Sequence, residues 1–158
     1  RTTVVMGASE DTGICYYRVL RDGKVINRSK ISLGNIDRVD LLVNGTAYRL
    51  QVDSCQATSF LKATDVAGRC MSLFSPAQLQ AVQRAGLRLV FRDEGGAQKA
   101  LDITVLRMGD ERHRFKRMEL FKDAVWWRTF LESAGAQARH DAVPPEQAPQ
   151  LEPGEKSL

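Results

Sequence analysis

Short apolar and polar runs alternate along the chain up to about residue 107, which is typical of β-strands. Aliphatic residues flank Asn44-Gly45 on both sides, and residues 47–52 alternate roughly with period two. Asn-Gly supplies the positive φ angles that a two-residue hairpin turn needs. A period of two places one face of a strand against a core. The pattern therefore predicts a β-hairpin with one buried face.

Two further hairpins are predicted by the same reasoning. Asp22-Gly23 lies between two β-rich runs, and Glu94-Gly95-Gly96 separates the runs over residues 87–93 and 99–107. Glycine-containing turns between such runs are strong hairpin signals. Three hairpins predict a mostly β fold, an antiparallel β-sandwich or barrel, over residues 1–107.

One short helix is predicted inside this β domain, over about 75–86. Ser75 can cap its beginning, Pro76 suits the first helical position, and Gly86 suits its exit. The helix begins after residues 53–70, which we interpret as a loop with a cysteine near each end.

A second helix is predicted over about 114–138, where good helix formers follow one another and no proline occurs before Pro144. On a helical wheel, two adjacent apolar stripes form, but Trp126 and Phe130 fall outside both. A helix docked on one side needs only one stripe. The extra aromatic residues therefore indicate a second contact, either with another chain or with a neighbouring loop of this one.

These patterns divide the chain into three parts. Residues 1–107 form the antiparallel β domain, residues 108–139 a C-terminal helical extension, and residues 140–158 a flexible tail rich in Pro and Glu. A chain of 158 residues with 43% hydrophobic and 27% charged residues fits one soluble domain. No segment approaches the roughly 18 consecutive apolar residues that a membrane-spanning helix needs. The sequence therefore predicts no membrane span.

The net charge of +4 is concentrated in residues 107–128, which carry seven Lys or Arg and four Asp or Glu. Nucleic-acid binding normally needs a denser cluster of cations on one face. Nucleic acid is therefore an unlikely partner. The basic side chains before the aromatic residues instead extend a predicted protein-binding surface, made of Trp126, Trp127, Phe130, Arg112, Arg114, Lys116 and Arg117.

Residues suited to catalysis are few. The two histidines, His113 and His140, lack metal-ligand spacing to another His or Cys. No nucleophile elbow, phosphate-binding glycine loop or H-E-x-x-H motif occurs. Cys15 lies between bulky strand residues, where a lone cysteine is usually a small core residue. We predict no catalytic residues, no metal site and no cofactor, and a protein that is not an enzyme.

Cys55 and Cys70 border strand-like runs, and three interpretations compete. A zinc site would need about four ligands, and no C-x-x-C is present. Two free buried thiols would suit a cytosolic protein. A disulfide is favoured, because closing a loop of this length would restrict the unfolded chain by roughly 3 kcal/mol. It would place the protein in an oxidising compartment, periplasmic or secreted.

Three stretches of the chain combine hairpins with cysteines: "LLVNGTAYRLQVDSC", "GRCMSLFSPAQLQAVQRAGLRLVFRDEGGAQKALDITV" and the earlier "CYYRVLRDGKVI". In these stretches, residues 13–107 resemble the invasion-associated locus B family of bacterial extracytoplasmic proteins. The family arrangement is a strand pair leading to a cysteine, a loop to a second cysteine, a short helix and two strands. The resemblance implies a β-sandwich without known catalytic residues, in a family associated with bacterial entry into host cells.

The function expected from these observations is binding. We predict a non-enzymatic extracytoplasmic protein that acts on a protein partner of unknown identity, with host-cell interaction or invasion implied by the resemblance. A second possibility is a structural subunit of a cell-envelope assembly, with homo-oligomers formed through the C-terminal helix. A third is a cytoplasmic regulatory or nucleic-acid-binding module.

Overall fold

In the computed structural model, which describes residues 2–9, 11–50, 60–109 and 116–142, two antiparallel sheets share one hydrophobic core with a long helix. The N-terminal sheet has the order β1-β2-β3, formed by β1 Thr2–Ser9, β2 Ile14–Arg21 and β3 Lys24–Ser32. The C-terminal sheet has the order β5-β4-β6-β7, formed by β4 Ile36–Val43, β5 Thr46–Tyr48, β6 Arg84–Arg92 and β7 Gln98–Arg107. A 3-10 turn over Leu33–Asn35 joins the two sheets. The helices are α1 Phe60–Met71, α2 Pro76–Gln80 and α3 Arg117–Ala142.

The structure confirms the mostly β fold class and its antiparallel hairpins. Asp22 and Gly23 turn the chain between β2 and β3 with φ angles of 51° and 80°. Asn44 and Gly45 do the same between β4 and β5, with 51° and 85°. The buried face predicted for the second arm over residues 47–52 is corrected, because β5 ends at Tyr48 and all three of its residues are exposed. The third turn, between β6 and β7, has Gly96 at 84°. Local turn chemistry therefore places all three hairpins where the sequence predicts them.

The short helix is confirmed at its beginning but ends earlier than predicted. Ser75 and Gln78 form a reciprocal capping box at the start of α2. Residues 84–86 instead belong to β6, so Gly86 is a strand residue and not a helix exit. A Cβ at position 86 would overlap the Ile103 carbonyl of β7, at a point where the register between the two strands shifts. Glycine is therefore needed for a close backbone approach at a β-bulge.

The segment interpreted as a loop is helical over its second half. Residues 60–71 form α1, in which Ala67 and Cys70 are both buried. Their spacing of three residues puts them on one face, and α1 packs against α3. The helix is stabilised by this tertiary contact and not by a strong start or stop signal in the sequence.

Helix α3 packs inside the core and is not a peripheral extension. It contacts α1, the 3-10 turn and strands β4, β6 and β7. Between residues 124 and 135, the described side chains that are not fully buried are those of Trp126, Trp127 and Glu132, which are half-buried. A helix surrounded in this way needs apolar residues on more than one stripe. This explains the aromatic residues that fall outside the two predicted stripes.

Two charged side chains of α3 pair with the open edge of β4. Strand β5 pairs only with residues 41–43 of β4, so the edge before them lacks a strand partner within the described residues. The Val39 N–H donates to Glu132 Oε2 (2.9 Å), and Arg128 Nε donates to the Val39 carbonyl (3.0 Å). Arg128 Nη2 also donates to the Leu50 carbonyl (2.7 Å) and lies 3.3 Å from Glu132 Oε2. One helical turn thus supplies the donor and acceptor that a neighbouring strand would provide.

Candidate binding surface

The N-terminal sheet has one face on the core and one face open to solvent. Cys15, Tyr17 and Ile31 are buried on the inner face. On the outer face, the strand register aligns side chains in rows across the sheet. The first row contains Val5, Arg18 and Arg28, and the next contains Gly7, Tyr16 and Lys30.

Tyr16 is held in place by its neighbours on this outer face. A Cβ at Gly7 would overlap the Tyr16 ring, so the ring lies directly over the glycine of the adjacent strand. The Arg18 guanidinium carbon lies 5.6 Å from the centre of the same ring, a cation–π arrangement. The packing of Tyr16 on Gly7 therefore also positions Arg18.

A shallow groove of about 660 Å³ runs over these rows. Its main lining side chains are Ser9, Ile14, Tyr16, Arg18, Arg28 and Lys30. Three of them are cationic, and none of the lining residues that the structure describes is acidic. The groove therefore combines positive charge, hydroxyl groups and apolar surface.

The outer face of the C-terminal sheet differs, because acidic and basic side chains alternate across its strands. The register places Asp40, Arg88 and Asp102 in one row across β4, β6 and β7. Arg88 donates two hydrogen bonds to Asp102, at 2.8 and 3.0 Å. These bonds lower the pKa of the Asp102 carboxyl and raise that of the Arg88 guanidinium. The charges of this row compensate one another.

Asp40 is the most buried carboxylate of that row, with 3% of its surface exposed. Arg38 Nε donates to its Oδ2 at 3.2 Å. Its Oδ1 has no hydrogen-bond partner but lies 4.0 Å from Arg49 Nε. Two arginines thus balance the charge of this carboxylate, which leaves no free anionic centre for a cation.

The aromatic residues predicted to bind a partner form a cluster on α3. The Trp126 and Phe130 rings stack with centroids 5.1 Å apart, and Trp127 meets them edge-on at 5.2 and 6.1 Å. Phe130 is only 2% exposed, so it is a core residue, and its prediction as a surface contact is corrected. Trp126 and Trp127 are half-buried, and their role in partner binding stays a prediction.

The basic residues predicted beside this cluster are only partly described. Arg112 and Arg114 lie outside the described residues. Lys116 is exposed, whereas Arg117 is half-buried and its Nη1 donates to the Gln80 carbonyl at 2.9 Å. Arg117 thus fastens the beginning of α3 to the end of α2.

The two described cysteines are free, buried thiols. Burial raises the pKa of Cys15 to about 11. It also raises the pKa of Cys70, although Arg128 and Thr129 act in the opposite direction. Cys70 lies in α1 beside the Thr129 side chain and not at the end of a loop. Among the described residues Cys70 forms no disulfide, and Cys55, its partner in the predicted bridge, lies outside the described residues.

Within residues 2–9, 11–50, 60–109 and 116–142, no group of three or more His, Cys, Asp or Glu side chains is arranged to hold a metal ion. No helix in the same ranges is long and apolar enough to cross a membrane. His140 is exposed near the end of α3, and His113 lies outside the described residues. The most distinctive surface is therefore the groove on the N-terminal sheet.

Sequence reasoning missed this groove. Tyr16 and Arg18 are two residues apart in β2, and Arg28 and Lys30 are two residues apart in β3, so each pair shares one face of its own strand. Whether both pairs lie on the same face of the sheet depends on the register between the strands, which the spacing alone does not give. No family model, curated protein or solved structure matches the chain.

Proposed function

We propose that this chain is a non-enzymatic, extracytoplasmic binding protein that acts by contacting a protein partner. The observation that carries the proposal is the open outer face of the N-terminal sheet. Its groove contains Tyr16 and two arginines, and Val5 beside them is 40% exposed. Tyr and Arg are enriched at the energetic centres of protein interfaces. The surface therefore has the composition of a contact site.

The extracytoplasmic location is supported by the resemblance of residues 13–107 to the invasion-associated locus B family. The two antiparallel sheets agree with the fold class that this resemblance implies. A contact with the host cell is the setting that the resemblance implies for the partner. The free Cys70 thiol removes the disulfide as a supporting argument for this location.

Assembly through α3 has less support than binding through the N-terminal sheet. Nearly all of residues 124–135 are already buried within the chain itself. Trp126 and Trp127 leave only a limited apolar area for a twin chain. A stable interface between subunits generally needs roughly 800 Å² from each partner.

Site-specific photocrosslinking in the native cells tests the proposal. A benzoylphenylalanine at Val5, on the outer face, is compared with one at Lys122, which is exposed on α3. We expect a discrete covalent adduct with another protein from position 5 and none from position 122, in the periplasmic fraction or the culture medium. Adducts only from position 122, or a protein confined to the cytoplasm, would contradict the proposal.

A further inference from the structure

The cations of the groove lie next to one another, without an acidic partner among the residues that the structure describes. The register puts Arg18 directly opposite Arg28, and Lys30 follows two residues later on the same face of β3. Opposed side chains of an antiparallel pair are only about 4.5–5.5 Å apart at Cβ, and like charges there destabilise the sheet. None of the three forms an ion pair with a carboxylate of the described residues. The sheet therefore carries an unfavourable charge row on an exposed face.

The C-terminal sheet shows that this arrangement is not a general property of the chain. Its outer row alternates Asp40, Arg88 and Asp102, with two hydrogen bonds of 2.8 and 3.0 Å between the last two. Opposite charges across strands stabilise a sheet by the same rule that makes like charges unfavourable. A row of like charges suits a face whose anions are supplied by another molecule.

We infer that the groove over Tyr16, Arg18, Arg28 and Lys30 binds a short acidic segment of the protein partner, whose Asp or Glu carboxylates pair with the two arginines. This inference rests on the proposed function and names the chemistry of the partner. A guanidinium can bind a carboxylate through two parallel hydrogen bonds. Arg18 is already held over the Tyr16 ring, so it loses less conformational freedom on binding than an unrestrained arginine.

The surroundings of the cations favour a peptide over a nucleic acid. Val5 lies in the same row as the arginines, and Ile14 lines the groove, so apolar side chains of a partner would find apolar contacts. Single-stranded nucleic acid is typically bound by several aromatic rings on which successive bases stack. Among the described lining residues there is one aromatic ring, that of Tyr16, which already contacts Gly7 and Arg18.

The size of the face indicates weak binding that depends on salt. Eight-residue strands at about 3.4 Å per residue, and three strands about 4.8 Å apart, give a face of roughly 27 by 14 Å. This is on the order of 400 Å², about half of what one partner contributes to a standard stable interface. A short segment held mainly by exposed charges should dissociate readily as ionic strength rises.

Fluorescence anisotropy of the full chain tests the inference. The probe is a fluorescein-labelled twelve-residue peptide in which Glu and Val alternate, and its control has Gln in place of every Glu. We expect the Glu peptide to bind at 20 mM NaCl, to weaken about tenfold at 150 mM NaCl, and to bind more tightly than the Gln peptide. Arg18→Gln and Arg28→Gln should each weaken binding about fivefold, the upper end for an exposed ion pair.

Arg92→Gln is the matched control, because it removes the same charge from an exposed arginine of the other sheet. It should change the affinity less than twofold. Thermal melting separates binding from folding: Arg28→Gln should leave the melting temperature unchanged or raise it, because it relieves repulsion from Arg18. An equal loss in all three variants, or equal binding of both peptides, would overturn the inference.

A twelve-nucleotide single-stranded DNA provides the competing outcome. Tighter binding of this DNA than of the Glu peptide, with the same sensitivity to Arg18→Gln and Arg28→Gln, would replace the acidic segment by a nucleic acid. If neither probe binds while position 5 still yields its crosslinked partner, the proposed function stands and only the acidic chemistry fails. If the crosslink is also absent, both fail together.

Discussion

Replacing Arg128 should destabilise the protein more than any change of one exposed charge. Arg128 is 3% exposed, and its guanidinium donates to the Val39 and Leu50 carbonyls. Met fills a similar volume but cannot donate, so Arg128→Met leaves two buried carbonyls without these bonds. A hydrogen bond to a charged group contributes about 1.5–3 kcal/mol. Losing both costs about 3–6 kcal/mol.

Two further effects adjust this value. Nη1 of Arg128 is buried without a hydrogen-bond partner, and removing it recovers about 1–3 kcal/mol of desolvation penalty. Glu132 loses its cation but still accepts from the Val39 N–H and is half-buried, so water can compensate part of its charge. We therefore expect Arg128→Met to lower the free energy of unfolding by about 3 kcal/mol. Glu132→Gln keeps an acceptor for Val39 and should cost about 1 kcal/mol.

Urea unfolding, followed by tryptophan fluorescence and far-UV circular dichroism, measures these differences. With a slope of about 2 kcal/mol per molar urea, Arg128→Met should shift the midpoint down by about 1.5 M. Lys122→Met is the control, since this side chain is exposed on the same helix, and it should stay within about 0.5 kcal/mol of wild type. A loss below 1 kcal/mol for Arg128→Met, or a larger loss for Glu132→Gln, would refute the pairing of α3 with the β4 edge.

Three other predictions concern residues whose surroundings are equally specific. Gly86→Ala should lower the free energy of unfolding in urea by about 2–4 kcal/mol, because its Cβ would overlap the Ile103 carbonyl. Gly68→Ala, in open space on α1, is the control and should be neutral or stabilising by up to about 1 kcal/mol. Similar effects of the two substitutions would contradict the close approach of the β6 and β7 backbones at Gly86. Asn44→Gly keeps the positive φ but removes three side-chain hydrogen bonds to the backbone between α2 and β6, and should cost about 1–3 kcal/mol; an unchanged midpoint would show that these bonds contribute nothing. Burial raises the pKa of Cys15 from 9.0 to about 11 in the folded protein, so the protonated thiol stabilises the folded state fully below pH 9, and this stabilisation is lost as the pH rises to 11. Over that window the free energy of unfolding of wild type should fall by about 2–3 kcal/mol more than that of Cys15→Ala. Parallel pH profiles for the two proteins would refute this.

The elements that the sequence predicts correctly are those fixed by local chemistry. Asn44-Gly45 and Asp22-Gly23 can adopt the positive φ angles of a tight turn regardless of what packs around them. The capping box of Ser75 and Gln78 is equally local. The mostly β class and the positions of the hairpins could therefore be predicted from the residues alone.

The parts that depend on tertiary contacts could not be predicted. Helix α1 packs on α3 and lacks clear start and stop signals, although its apolar residues recur at the spacing of an amphipathic helix. In α3, polar residues such as Arg128, Thr129 and Ser133 suggest a solvated face, yet all three are buried. Arg128 is buried because its guanidinium donates a hydrogen bond to the Val39 carbonyl at the open edge of β4. No helical wheel contains information about the edge of a strand that is distant in sequence.

The groove was missed for a more specific reason, which also explains how it forms. Counting outward from Asp22-Gly23 without interruption would pair Arg18 with Asn27 and put Arg28 opposite Tyr17, on the buried face. The structure instead has a register shift between Val19 and Leu20. Because the side-chain period of a strand is two, a shift of one residue moves Arg28 and Lys30 to the outer face. A single bulge therefore brings the cations of β3 beside Arg18 and creates the charged row. It follows that restoring an uninterrupted register would remove the groove and bury the Arg28 charge against the core, so the bulge and the binding surface are parts of one feature.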